Sequence, residues 1–180
     1  MKKIVWSILL LLSPWAMAET AEQQWPTQDG PVTVVWQNPD EFRDVEASSG
    51  IQERYENHVF ATLGKQFQKR LSGLLKDGEQ LTITVTNLDL AGDVRPSFGA
   101  SASDIRIVKS VYPPMIEFQW ALLDQNKQLL DSGEVKIKDL NFENASSSLR
   151  YQNDALHYEL SMIERWSKRD LPDVLASRTE

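Results

Sequence analysis

The chain has 180 residues, contains no cysteine and carries a formal net charge of −7. This length suits a single domain whose core is large enough to be stable without disulfides. The acidity argues against nucleic acid and anionic lipid as partners, because both require a basic protein face.

Residues 1–18 have the three parts of a cleavable secretory signal peptide. Two lysines form the positive start, and the apolar run that follows is too short to span a bilayer. Ala16-Met17-Ala18 then supplies the small-residue pattern that a signal peptidase cleaves, so we expect the cut between Ala18 and Glu19. Because no cysteine is available for lipidation, the expected product is a soluble periplasmic protein without a lipid anchor.

Residues 19–31 are polar and rich in turn formers, and we expect a flexible leader there. Residues 32–36 predict the first strand, and Pro39 ends it. In residues 51–75 apolar side chains recur every three or four positions, which predicts a long helix with one buried face.

Beyond that helix, alternation of apolar and polar residues predicts the remaining strands. They cover residues 81–86, 105–108, 116–122 and 129–138, the last with a bulge at Asp131-Ser132-Gly133. The stretch 87–99 is predicted as a loop. A final helix is expected over 154–168, followed by a C-terminal tail at 172–180.

Each predicted strand has its apolar and polar residues on opposite phases, whereas a sheet covered on both faces has continuous apolar runs. We therefore predict an α+β fold over residues 32–171. It is a two-layer sandwich, with a mostly antiparallel sheet of about five strands and both helices on one face. The other face is open to water or a partner, and it has the polar residues Thr82, Thr84, Thr86, Glu117, Gln119 and Lys136.

Four short segments occur in an order that matches a known family pattern. They are Asn87-Leu88-Asp89-Leu90-Ala91-Gly92, Asp104-Ile105-Arg106, Tyr112-Pro113-Pro114 and Asp131-Ser132-Gly133-Glu134. Through them the chain, over roughly residues 32–170, resembles an exported bacterial family catalogued only as a domain of unknown function, number 3016. The resemblance implies a periplasmic location and no particular reaction. Met115 stands where the family pattern would place a basic residue.

The loop between the second and third predicted strands is the strongest candidate for a functional site. It holds four charged residues among small and turn-forming ones: Asp89, Asp93, Arg95 and Asp104. Clustered carboxylates could bind calcium or act as an acid–base pair. Aspartates that accept hydrogen bonds from backbone amides in turns explain the same pattern. Asp40 and Asp44, next to Pro39, have the same two explanations.

Metal and nucleophile sites have weaker support. His58 and His157 fall in the two predicted helices, and even with Glu159 they make an incomplete zinc site without the usual spacing. Ser97-Phe98-Gly99-Ala100-Ser101 lacks the residue order of a nucleophile elbow. We therefore predict no metal, no cofactor and no catalytic residue.

Two functions remain open. The first is a non-catalytic binding or assembly module of the cell envelope, whose partner is an unknown envelope protein or ligand. It would act through the open sheet face, an edge strand or the 89–104 loop. The second is a hydrolase that uses the carboxylates of that loop. Convergence of Asp89, Asp93 and Asp104 in a pocket would favour the hydrolase, and separate placement in surface turns would favour binding.

Overall fold

The computed structural model describes residues 23–25, 30–96, 104–144, 151 and 154–169. The predicted signal peptide with its cut between Ala18 and Glu19, the pentapeptide 97–101 and the tail at 172–180 lie outside these residues. The described elements are β1 (Gln23–Trp25), β2 (Val32–Trp36), α1 (Gln52–Leu71), β3 (Gln80–Asp89), β4 (Asp93–Arg95), β5 (Ile105–Ile107), β6 (Met115–Leu123), β7 (Leu129–Lys138) and α2 (His157–Arg169). Neither described helix is long and apolar enough to cross a bilayer.

Five strands form one sheet in the order β1-β2-β3-β6-β7. β2 and β3 are parallel, and α1 makes the crossover that a parallel pair needs. The other three pairings are antiparallel. This is the predicted α+β sandwich with a mostly antiparallel sheet.

One aromatic core joins both helices to the same face of the sheet. Phe67 of α1, Phe118 of β6 and Trp166 of α2 meet edge to face, with ring centroids 5.0 to 6.3 Å apart. Trp36 of β2 stacks on Phe60 of α1 at 4.8 Å. Such pairs add stability beyond the burial of their surface. The helices therefore lie on one side, as the alternation of the strands predicts.

The leader predicted over residues 19–31 is wrong for residues 23–25, which form β1 and pair with β2 at the edge of the sheet. Pairing there uses backbone groups, so a polar sequence gives no signal of it. The strand predicted at 105–108 is also misplaced. It pairs with β4 in a separate two-stranded sheet, and Ile105 is 55 % exposed. Alternation identified this strand but not its partner, and β4 itself was predicted as loop.

The bulge predicted at Asp131-Ser132-Gly133 is wrong, because these residues pair one to one with Leu122, Ala121 and Trp120 of β6. Gly133 instead makes room for the indole of Trp120 on the neighbouring strand. A Cβ at Gly133 would lie 2.9 Å from the indole nitrogen. The actual irregularity is one extra residue, Leu130, where the pairing with β6 shifts.

Candidate functional site

The face of the sheet turned away from the helices, here called the open face, carries polar rows across β3, β6 and β7. The register places Thr84 beside Gln119 and Gln119 beside Glu134. The neighbouring rows also carry polar groups, although two of them include the apolar residues Ala121 and Met115. The open face of these three strands consists of Thr82, Thr84, Asn87, Asp89, Met115, Glu117, Gln119, Ala121, Ser132, Glu134, Lys136 and Lys138.

A bulge in β3 decides which residues of this strand reach the open face. Leu81, Ile83 and Val85 point to the core, but the register with β6 shifts after Val85. Because Thr86 is the extra residue, the following leucine, Leu88, returns to the core, and Asp89 lies on the open face. Without the bulge, the alternation of a strand would reverse these two positions.

Two grooves adjoin on the open face. The first has a volume of about 340 Å³ and is lined by Thr82, Thr84, Gln119, Trp120, Ala121, Ser132, Gly133 and Glu134. The second, of about 370 Å³, is lined by Thr86, Glu117, Phe118, Gln119, Glu134, Val135 and Lys136. Gln119 and Glu134 belong to both, so the two grooves form one continuous surface along β6 and β7.

Cross-strand contacts hold the polar side chains of the grooves in place. Gln119 Nε2 donates to Glu134 Oε1 at 2.9 Å. Lys136 and Glu117 form an ion pair between β7 and β6. Both charged signs are therefore present within a few ångströms, and the grooves offer donors and acceptors together.

Asp89 ends the open face and joins another predicted carboxylate there. Arg43 bridges Asp89 in the sheet, and the carboxyl of Asp44, a residue with a left-handed φ of 55°, lies next to that of Asp89. Partial burial raises the pKa of Asp89, and the neighbouring carboxyl of Asp44 raises it further. Arg43 and Lys138 act in the opposite direction. Lys138 opposes Met115 in the sheet, so a cation lies next to the position where the family pattern expects one.

The other predicted loop residues lie on the hairpin of β4 and β5 and do not join Asp89. Asp93 pairs with Arg95 at 2.5 Å, and Arg95 donates to the hydroxyl of Tyr112 at 2.7 Å. Arg95 opposes Ile105 in the register, so Asp104 lies just beyond the end of β5 that is farther from Asp93. This is about 10 Å along the strand. Among the described residues the structure brings Asp44 to Asp89, and it keeps Asp93 and Asp104 apart.

Arg106 of β5 fixes the hairpin beside the carboxyl pair. Its guanidinium donates to the carbonyl oxygens of Asp44 at 2.7 Å, Glu46 at 3.0 Å and Ala91 at 3.2 Å. It also donates to the hydroxyl of Tyr55 at 3.1 Å. The alternation of residues 105–107 could not reveal these contacts, because each partner comes from a distant part of the chain.

Glu159 of α2 is a carboxyl within the core, with 2 % of its surface exposed. Its Oε1 accepts a hydrogen bond from the backbone N–H of Ala91 at 2.7 Å, while Oε2 is buried without a hydrogen-bond partner in the described residues. From the sequence, this residue was proposed only as a third ligand of an incomplete zinc site. Its spacing from Leu156 and Ile163 is helical, however, and that signal places it on the apolar face.

The two histidines have different environments. His58 is exposed on α1, whereas the Nδ1 of His157 is 2.8 Å from the carbonyl oxygen of Asp154 at the start of α2. No group of three or more metal-ligating side chains occurs within the described part of the chain.

A family model described as "Protein of unknown function (DUF3016)" matches residues 30–169. The chain belongs to this family. The resemblance carried by the four segments is thus confirmed, over nearly the expected range. No curated protein and no solved structure gives a significant match to the chain. For this DUF3016 protein, function must therefore be argued from the site itself.

Proposed function

We propose that the protein is exported to the periplasm and acts there as a non-catalytic binding or assembly module of the cell envelope. Its binding surface is the open face. The observation that supports this is the pair of adjoining grooves along β6 and β7, which no described element covers. Concave surfaces with a few convergent polar groups are typical of binding sites.

An extended segment of an envelope protein suits this surface. The grooves follow β6 from Ala121 to Glu117, a length of about 14 Å at about 3.4 Å per residue. Such a segment presents alternating N–H and C=O groups, and the hydroxyls, amide and carboxylates of the grooves can pair with both. The balance of Glu134 against Lys136 favours an uncharged polar segment over a strongly charged one.

Site-specific photo-crosslinking in the native bacterium tests this surface. A photoreactive amino acid at Gln119 should capture one defined envelope protein, and the purified pair should then bind in solution. Ala61 is the matched control, because it is exposed on the helical layer. Equal capture from both positions, or a purified pair that does not bind, would refute the open face as the binding surface. The variant Gln119→Arg should weaken binding at least tenfold by filling the groove, whereas Ala61→Arg should leave it unchanged.

Export has its own test, because it rests on residues 1–18. Mass spectrometry of the mature protein should find Glu19 at the N-terminus, and osmotic shock should release it from cells. Recovery of the uncut chain in the inner membrane would contradict the export of a soluble protein. A different N-terminus would move the cleavage site alone.

The proximity of Asp44 to Asp89 supports the second candidate, a carboxylate-dependent hydrolase, because two adjacent carboxyls can divide acid and base roles. A screen with chromogenic esters, glycosides and phosphates tests it. Hydrolysis that Asp89→Asn and Asp44→Asn abolish and Asp93→Asn retains would establish this candidate. Equal rates for all three variants would exclude the pair as its catalytic residues.

A further inference from the structure

The outer edge of β7 is a second interaction surface, formed by backbone groups that the grooves of the open face do not use. β7 is ten residues long and is the last strand of the sheet. Among the described residues it pairs with β6 alone. One row of its backbone N–H and C=O groups is therefore available to another strand.

The composition of this edge gives it little protection from pairing. It contains no proline, and its one bulge lies at the end, at Leu130. Leu129 is 61 % exposed and Leu130 is 49 % exposed. Lysines often discourage pairing at an edge. Here, however, Glu134 accompanies Lys136 on the same face, so the edge carries both signs of charge.

We propose that β7 pairs antiparallel with β7 of a second copy of this chain, about a two-fold axis at Val135. Directly opposed residues of antiparallel strands lie on the same face of the sheet, so the axis must pass through a residue. In the register centred on Val135, Glu134 opposes Lys136 of the second copy, and the reverse pair forms as well. Gly133 opposes Ile137 on the helical side, and Ser132 opposes Lys138, the last residue of β7, on the open face.

The neighbouring registers lack this complementarity. An axis at Glu134 or at Lys136 would place that residue against its own copy, and like charges directly opposed are unfavourable. An axis at Ile137 would place Lys136 against Lys138. In the register at Val135, Lys136 lies between Glu117 of its own chain and Glu134 of the second copy. Among the four axes from Glu134 to Ile137, charge complementarity therefore favours the one at Val135, and such a symmetric register is typical of an isologous dimer.

Self-pairing would extend the five-stranded sheet to ten strands with one continuous open face. Sedimentation equilibrium of the processed protein should find a concentration-dependent dimer. Lys136→Glu and Glu134→Lys should each weaken it about tenfold, because each change opposes like charges twice across the axis. The double variant Glu134→Lys/Lys136→Glu should restore dimerisation. A monomer at every concentration, or a double variant weaker than both single variants, would overturn the proposal.

The absence of native cysteine makes a second measurement specific. Val135→Cys should oxidise to a disulfide-linked dimer, since the two Cα atoms would lie within about 6 Å. Ile137→Cys is the matched control, because its two copies would be about 14 Å apart along the strands. Equal oxidation of both variants would contradict the register. Capture of a different protein, and not a second copy, by a photo-crosslinker at Lys138 would show a foreign strand at this edge and overturn self-pairing.

Discussion

Replacing Glu159 with glutamine should stabilise the protein at neutral pH and change its stability little at about pH 4. Burial raises the pKa of this carboxyl above the ordinary value of 4.5, although the hydrogen bond from Ala91 and the charges of Arg106 and His157 oppose the shift. The unfolded chain therefore ionises first as the pH rises. Stability is lost from about pH 4.5 up to the raised pKa of the folded state, and it stays lower above that value.

The expected gain at neutral pH is about 1–3 kcal/mol. Removing an ion from water costs several kcal/mol even after the protein relaxes. The charge-assisted hydrogen bond from Ala91 to Oε1 returns about 1.5–3 kcal/mol of that cost. Glutamine keeps an oxygen acceptor for Ala91 and avoids the buried charge. The free energy of unfolding should therefore rise by the desolvation cost minus the energy of the charge-assisted hydrogen bond.

Urea unfolding of the wild type and of Glu159→Gln at about pH 4 and about pH 8 measures this gain. The two proteins should differ only at the higher pH. Glu143→Gln is the control, because it makes the same chemical change at an exposed position. Glu159→Ala should destabilise at both pH values, since it leaves the N–H of Ala91 without an acceptor. If the free energies of unfolding of wild type and Glu159→Gln differed equally at both pH values, Glu159 would not ionise within the core as argued.

Two further predictions concern the sheet. Asp89→Asn should also stabilise the protein more at neutral than at acidic pH, because the pKa of Asp89 is raised by partial burial and by Asp44. This gain should be smaller than that of Glu159→Gln, since Asp89 is partly exposed, and urea unfolding at both pH values checks the order. Gly133→Ala should destabilise by about 1–3 kcal/mol, because its Cβ would meet the indole of Trp120 at 2.9 Å. Tryptophan fluorescence during unfolding would detect it, and an unchanged midpoint would show that the indole moves freely.

The sequence predicts the elements whose side chains alternate or repeat strongly. Residues 32–36 form a strand with the predicted bounds, and the helix predicted over 51–75 is α1 with a short 3₁₀ turn after it. β1 escaped prediction because a strand of three residues is too short to show the alternation of a longer strand. The partner of β5 escaped because alternation fixes which side chains are buried and does not fix which strand lies alongside.

The candidate site was predictable in part for similar reasons. The polar phase of β3, β6 and β7 does form the open face, since a strand turns alternate residues to opposite sides. The proximity of Asp44 to Asp89 was not predictable, because 45 positions separate the two residues along the chain. The bulge at Thr86 did leave a signal. Apolar residues stand at odd positions up to Val85 and at even positions from Leu88.

The segment Asn87–Gly92 carries the strongest family resemblance, and the structure explains most of its residues by packing and backbone geometry. Leu88 and Leu90 are buried, and Gly92 has a φ of 92° with the backbone of Ile107 too close for a Cβ. The N–H of Ala91 is bound by Glu159. Asp89 is the acidic side chain of this segment, and the bulge directs it away from the core. Burial and backbone geometry thus account for the neighbours of Asp89 in this segment, and neither of them demands an aspartate at this position.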